Sequence, residues 1–318
     1  MPIDPQLAPL LAMASAQPRT DYLTADPVQL RANLRASAAQ FAPTPPIHMV
    51  SVTDGTLKGP AGPLHIRTYR PGTRPTPTLL FFHGGALVAG DVDTHDAVAR
   101  KLAAATGFTT VSAEYRLAPE DPFPAARDDA LAAARQVADD AVRYGGISGR
   151  FVVSGDSAGG YLAAAVAQRF RDEGRRLDAQ LLLYPLLDPA GDYPSAHEYS
   201  EGYFISAADI TETARLYRGD HPNPFDPAIA PLHAKDLSGL APAVIGVAEL
   251  DPIRDHGLAY GDALRAAGVD VFTRSYPGLI HAFGAMYHLS QVADRALDEL
   301  AREVVARVPA LQADGNEQ

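Results

Sequence analysis

A short apolar run, Phe151 to Ser154, leads directly into Gly155-Asp156-Ser157-Ala158-Gly159-Gly160, and a helical pattern follows from Gly160 to Arg171. This strand-to-helix turn constrains the chain more than any other feature. It implies a sheet whose strands alternate with helices. It also pushes the Ser157 hydroxyl clear of the backbone and sets it beside a helix N-terminus, where negative charge is favoured. Side chains at 155 and 159 would collide with neighbouring backbone, which explains the glycines. A bare G-x-S-x-G is weak evidence in a chain with 26 glycines. The strand before it and the helix after it make Ser157 a candidate nucleophile.

The rest of the chain has the same rhythm. His48 to Val52 and Leu64 to Tyr69 read as strands. Thr78–Phe82, Thr109–Ala113, Gln180–Tyr184 and Ala243–Ala248 are short continuous apolar runs, as in strands buried on both faces. Val269 to Tyr276 is the last clear strand. Helical patterns cover Asp121–Val142, Leu258–Ala267 and Gln291–Val305. The expected fold is α/β, with a mostly parallel central sheet and helices on both faces. Two regions break the alternation. The first 40 or so residues look helical, with a start signal at Asp26-Pro27, before a Pro-rich linker at Ala42–Ile47, and 188–224 are polar, aromatic and Pro-rich around a helical piece at Ala207–Tyr217. We expect one domain over 1–318, with a core of about 46–187 and 225–318 and a helical cap from about 1–45 and 188–224.

Ester hydrolysis builds negative charge on the former carbonyl oxygen, and preorganised N–H groups stabilise it. His83-Gly84-Gly85-Ala86 follows a buried strand and suits that task. The expected donors are the N–H groups of Gly85, Ala86 and Ala158, with Gly84 shaping the loop; His83 is read as structural. Of ten histidines, His281 stands out, because it follows a strand and a Pro277-Gly278 turn. That places it at the carboxyl edge of the sheet with Ser157. The acid that orients the histidine has to lie between them in sequence. Asp251, just past the Ala243–Ala248 run, is the candidate; Glu249 and Asp255 compete. Leu87, Leu186, Tyr203, Phe204 and Ile205 are candidate substrate lining. Arg116 and Glu120 read as a structural clamp on a turn ordered by Pro119.

Composition narrows the partners. About half the residues are apolar, so a large core is available, and the net charge of -11 argues against nucleic acid or an anionic membrane as partner. With no cysteine there is no disulfide, thiolate metal site or Cys nucleophile. The N-terminal residues lack the charged start and continuous apolar stretch of a secretory signal. The expectation is a soluble, cytoplasmic protein.

The segments HGGA at 83–86, EYRLAPE at 114–120, GDSAGG at 155–160, DPIRD at 251–255 and HAF at 281–283 resemble the hormone-sensitive-lipase family of α/β-hydrolases, its bacterial esterases in particular. The resemblance runs from about Pro63 to Phe283. It implies Ser157, Asp251 and His281 as catalytic triad, and Gly85, Ala86 and Ala158 as oxyanion donors. It also implies a cap built from the two irregular regions, short- to medium-chain esters as substrates, no metal or cofactor, and a homodimer through the late sheet edge. The chain departs from the family at Ala86, usually Gly, followed by Leu87 in place of an aromatic, and at Ala282, often Gly. These departures put the usual chain-length preference in question. The alternatives are a small-molecule-binding protein of the same fold, which would be expected to have lost a triad member, and an amidase using the same site.

Overall fold

The computed structural model describes residues 2–16 and 20–309, so residues 1 and 17–19 of the expected cap and 310–318 of the expected core lie outside the described residues. The chain begins with two helices, α1 (Ala8–Ser15) and α2 (Pro27–Gln40). Asp26 caps α2 by accepting the Val28 N–H, and Pro27 occupies the first turn, where its missing N–H costs nothing. The sheet follows: β1 (Ser51–Lys58), β2 (Pro63–Arg70), β3 (Thr76–Phe82), helix α3 (Asp96–Thr106), β4 (Thr109–Ala113), α4 (Ala125–Asp139), β5 (Gly146–Asp156), α5 (Ala158–Asp172) and β6 (Ala179–Leu183). Two further helices, α6 (Pro194–Glu198) and α7 (Ala207–Arg218), precede β7 (Ala243–Leu250), α8 (Arg254–Ala266), β8 (Val271–Ile280) and α9 (Gln291–Arg307).

The eight strands form one sheet in the order β1-β2-β4-β3-β5-β6-β7-β8. Strands β1 and β2 pair antiparallel, as do β2 and β4; all other pairs are parallel. The central strands are rich in buried apolar residues because each face has its own core. Leu80, Phe82, Val153, Leu182 and Ile245 pack with α4, α5 and α8, while Leu79, Phe81, Val152, Leu181 and Val244 pack with α3 and α9. Successive residues take opposite sides, as the two-residue period of a strand requires. The loops after β3, β5, β7 and β8 all leave the carboxyl edge, where Phe82 pairs with Gly155 and Leu250 with Ile280.

Several boundaries differ from the sequence expectation. The first strand is Ser51–Lys58, not His48–Val52. It is an edge strand with mostly exposed or half-exposed residues, so it carries little hydrophobic period. The segment Pro277-Gly278, read as a turn, continues β8 to Ile280. An edge strand tolerates proline because one side of it needs no ladder donor. Helix α3 had no sequence prediction; its buried residues mix Val98, Leu102 and two alanines with Lys101 and Thr106, a weak contrast. Among the described residues no helix is long and apolar enough to cross a membrane.

Candidate active site

Strand β5 delivers Ser157, whose φ of 53° and ψ of -117° lie outside the regions that L-residues favour. The turn is pinned on both sides: the Ser157 N–H donates to the Leu183 carbonyl at 2.9 Å, and the Leu186 N–H donates to the Ser157 carbonyl at 3.0 Å. Gly159 lets α5 lie against β3, since a Cβ there would stand 2.0 Å from the Phe82 carbonyl oxygen. Ser157 therefore projects above the sheet edge at the start of α5.

His281 follows β8 and brings its Nε2 to 2.9 Å from Ser157 Oγ. Its Nδ1 lies 2.8 Å from Asp251 Oδ2. An ionised carboxylate only accepts, so Nδ1 carries the proton and Nε2 is left to accept the Ser157 hydroxyl. Asp251 is fully buried, and its Oδ1 accepts the Ile253 N–H at 2.9 Å. The competing carboxylates have other partners. Glu249 accepts the Gly278 N–H at 2.9 Å. Asp255 accepts the Ser195 N–H at 2.9 Å and pairs with Arg254 Nε at 2.8 Å. Burial pushes the Asp255 carboxyl up, but Arg254 and the Ser195 N–H hold it below its ordinary range.

The loop after β3 faces this relay. Gly84 is not a free donor: its N–H goes to Asp156 Oδ1 at 2.7 Å, which ties the loop to the residue before the nucleophile. Gly84 therefore shapes the oxyanion loop rather than donating into it. The N–H groups of Gly85 and Ala86 find no acceptor among the described residues. Ala158 is the first residue of α5, so its N–H has no intrahelical acceptor. Gly85, at φ 115°, adopts a conformation that side chains resist, and Ala86 and Leu87 follow at 56° and 65°. His83 is buried behind the loop with Nδ1 2.7 Å from the Gly84 carbonyl and its ring stacked on Tyr115. Burial, with His95 adding repulsion, pushes its pKa down to about 4.

A cavity of about 360 Å³ opens over Ser157 and His281. Gly85, Ala86 and Val88 line it from the β3 loop, Leu30, Leu34 and Phe41 from α2 and its end, and Ile210 and Thr213 from α7. The two irregular segments therefore converge on the cavity, and the Tyr22 N–H joins them by donating to Glu212 Oε2 at 3.0 Å. Of the expected lining, Phe204 and Ile205 border the cavity, whereas Leu87, Leu186 and Tyr203 do not. Leu87 and Leu186 are buried in the core shared with α4 and α5, and Tyr203 packs edge-on against Tyr199. Sequence reasoning missed Leu30 and Leu34, although their four-residue spacing places the two large apolar side chains on one face of the helix. It also gave no role to Asp156. A carboxylate that ends a buried strand has to find N–H donors, and that was the available signal. Among the described residues no three imidazole or carboxylate groups converge as a metal site needs.

The sequence matches the family model of the alpha/beta hydrolase fold over residues 79–285. It is 42% identical over 285 residues to the carboxylic ester hydrolase LipN of Mycobacterium tuberculosis, covering 86% of this chain and 75% of that protein. It is 43% identical over 249 residues to the esterase LipI of the same organism, covering 76% and 78%. Among solved structures, a hyperthermophilic esterase from the archaeon Pyrobaculum calidifontis matches with a TM-score of 0.92 and 36% identity, covering 96% of this chain and 99% of that one.

Proposed function

The chain belongs to the hormone-sensitive-lipase-like family of α/β-hydrolases and is a carboxylic-ester hydrolase, and from that premise we propose that it cleaves short- to medium-chain esters through Ser157, His281 and Asp251. The carrying observation is the continuous relay from Ser157 Oγ to His281 Nε2 at 2.9 Å and from His281 Nδ1 to Asp251 Oδ2 at 2.8 Å, under an apolar cavity.

In this reading His281 takes the Ser157 proton as the hydroxyl oxygen attacks the ester carbonyl. Asp251 keeps the imidazole in the required tautomer and stabilises the imidazolium. The tetrahedral oxyanion is held by the N–H groups of Gly85, Ala86 and Ala158. Each such donor is worth about 10²–10³ in kcat. His281 then protonates the leaving alcohol. Water repeats the attack on the acyl-enzyme and releases the acid and free Ser157. The size of the cavity, about 360 Å³, supports modest substrates, because it lies near the small end of the roughly 300–1,000 Å³ range of ligand pockets.

Hydrolysis of a p-nitrophenyl ester series, acetate to palmitate, by wild type and Ser157→Ala tests this reading. Short esters are expected to turn over, and the variant to lose on the order of 10⁴-fold or more in kcat while melting like wild type. Residual full activity in Ser157→Ala would move the chemistry to another residue.

A further inference from the structure

Helix α2 buries none of its residues completely. Leu30 and Leu34 pack half-buried against the core, and two arginines four positions apart bind the body beside them. Arg35 pairs with Asp91 below it. Arg31 uses its whole guanidinium fork: Nε donates to the Val88 carbonyl at 2.9 Å, one terminal nitrogen donates to the Ala118 carbonyl at 3.0 Å and to Glu120 Oε2 at 2.7 Å, and the other donates to Glu120 Oε1 at 3.0 Å.

The Val88 contact lands on the oxyanion loop, two residues past Ala86. The residues leading to it, Ala86 and Leu87, both have positive φ. A residue with a side chain resists that conformation, so the loop persists only where its surroundings over-determine it. Beyond the Gly84 bond to Asp156 and the Tyr115 hydroxyl, which donates to the His83 carbonyl at 2.7 Å, two contacts hold the Leu87 and Val88 carbonyls from outside. The Ala118 N–H donates to the Leu87 carbonyl at 2.9 Å, and Arg31 binds the next carbonyl, that of Val88. Arg31 also binds the Ala118 carbonyl, so the cap helix closes a clamp around the loop that presents the Gly85 and Ala86 N–H groups.

We propose that Arg31 is a positioning residue through which the seating of α2 sets the oxyanion loop, so that turnover depends on the cap being in place. The proposal rests on the serine-esterase reading. It differs from a plain lining role for α2, whose Leu30 and Leu34 border the cavity. A lining role governs how well long chains bind. A loop-positioning role governs the chemical step for every ester, including acetate, which is too small to need the α2 wall.

The test is steady-state kinetics of wild type, Arg31→Lys and Arg31→Met on p-nitrophenyl acetate and hexanoate, with thermal melts of each. Lysine keeps the charge but cannot serve this set of acceptors with one ammonium group. Both variants are expected to fold and to lose on the order of tenfold or more in kcat on acetate, as expected for a displaced oxyanion donor, with KM nearly unchanged. On hexanoate the same kcat loss is expected together with a raised KM. An acetate kcat within about twofold of wild type in a folded variant overturns the proposal. Failure of both variants to fold makes Arg31 structural and also overturns it. Absence of Ser157-dependent turnover in wild type is a separate outcome, because it defeats the esterase reading itself.

Discussion

Asp255 lies four residues beyond Asp251, and the two carboxylates have entirely different neighbours. Asp251 meets His281 and the Ile253 N–H; Asp255 meets Arg254 and the start of α6 at Ser195. Asp251→Asn is expected to cost roughly 10³–10⁴ in kcat, because the amide favours the wrong imidazole tautomer. Asp255→Asn is expected to keep kcat and to lose about 1 kcal/mol of stability through its hydrogen bonds. Parallel kinetics and urea melts separate the two, and full activity in Asp251→Asn would remove the acid role from that residue. The positions of Ser157 and Asp251 were legible because each follows an apolar run at a strand end, and that of His281 because it follows a strand and Pro277-Gly278. The contacts of Asp156 and Arg31 were not. A carboxylate ending a buried strand signals that Asp156 needs a donor, but the partners, a backbone N–H at Gly84 and backbone carbonyls at Val88 and Ala118, are distant in sequence and no local pattern names them.

At the scale of elements, legibility followed burial. Strands β3, β4, β6 and β7, covered on both faces, stand out as apolar runs, whereas β1 does not, because most of it is exposed or half-exposed. The same contrast predicts unequal local stability. Strands β3, β5 and β6 are buried within the sheet, while neither α1 nor α2 buries a residue completely. Segments with few buried apolar groups open at lower free energy than the core. Amide hydrogen exchange is therefore expected to label α1 and α2 well before the central strands. Equal protection of α2 and β6 would show that the arginine contacts and half-buried leucines bind the helix as firmly as a core.

For the whole molecule, the α/β architecture was readable from alternation alone, because each parallel strand needs a crossover and each crossover here supplies a helix. The global response to acid was not readable, because it depends on which histidines end up buried. His83 lies behind the oxyanion loop and His256 on α8, and burial pushes both down to about 4. An unfolded chain protonates histidine near 6.5. Between about pH 6.5 and about pH 4 the unfolded state therefore binds protons that the native state refuses, and stability falls as pH is lowered through that window. Carboxylates contribute later. Asp54, Glu120 and Glu173 are held below their ordinary range by Arg67, Arg31 and Arg135, so what they contribute is retained until pH falls to about 4. The melting temperature is expected to drop between about pH 6.5 and about pH 4, and His256→Gln, which cannot take up the proton, to flatten part of that slope. An unchanged slope in the variant would exclude His256 as a contributor. General charge repulsion does not produce this drop. The chain carries a net charge of -11, so mild acid first reduces its self-repulsion and should stabilise the fold. A falling melting temperature at the upper end of the window runs against that trend, and the imidazoles of His83 and His256, held down by burial, supply a term of the right sign.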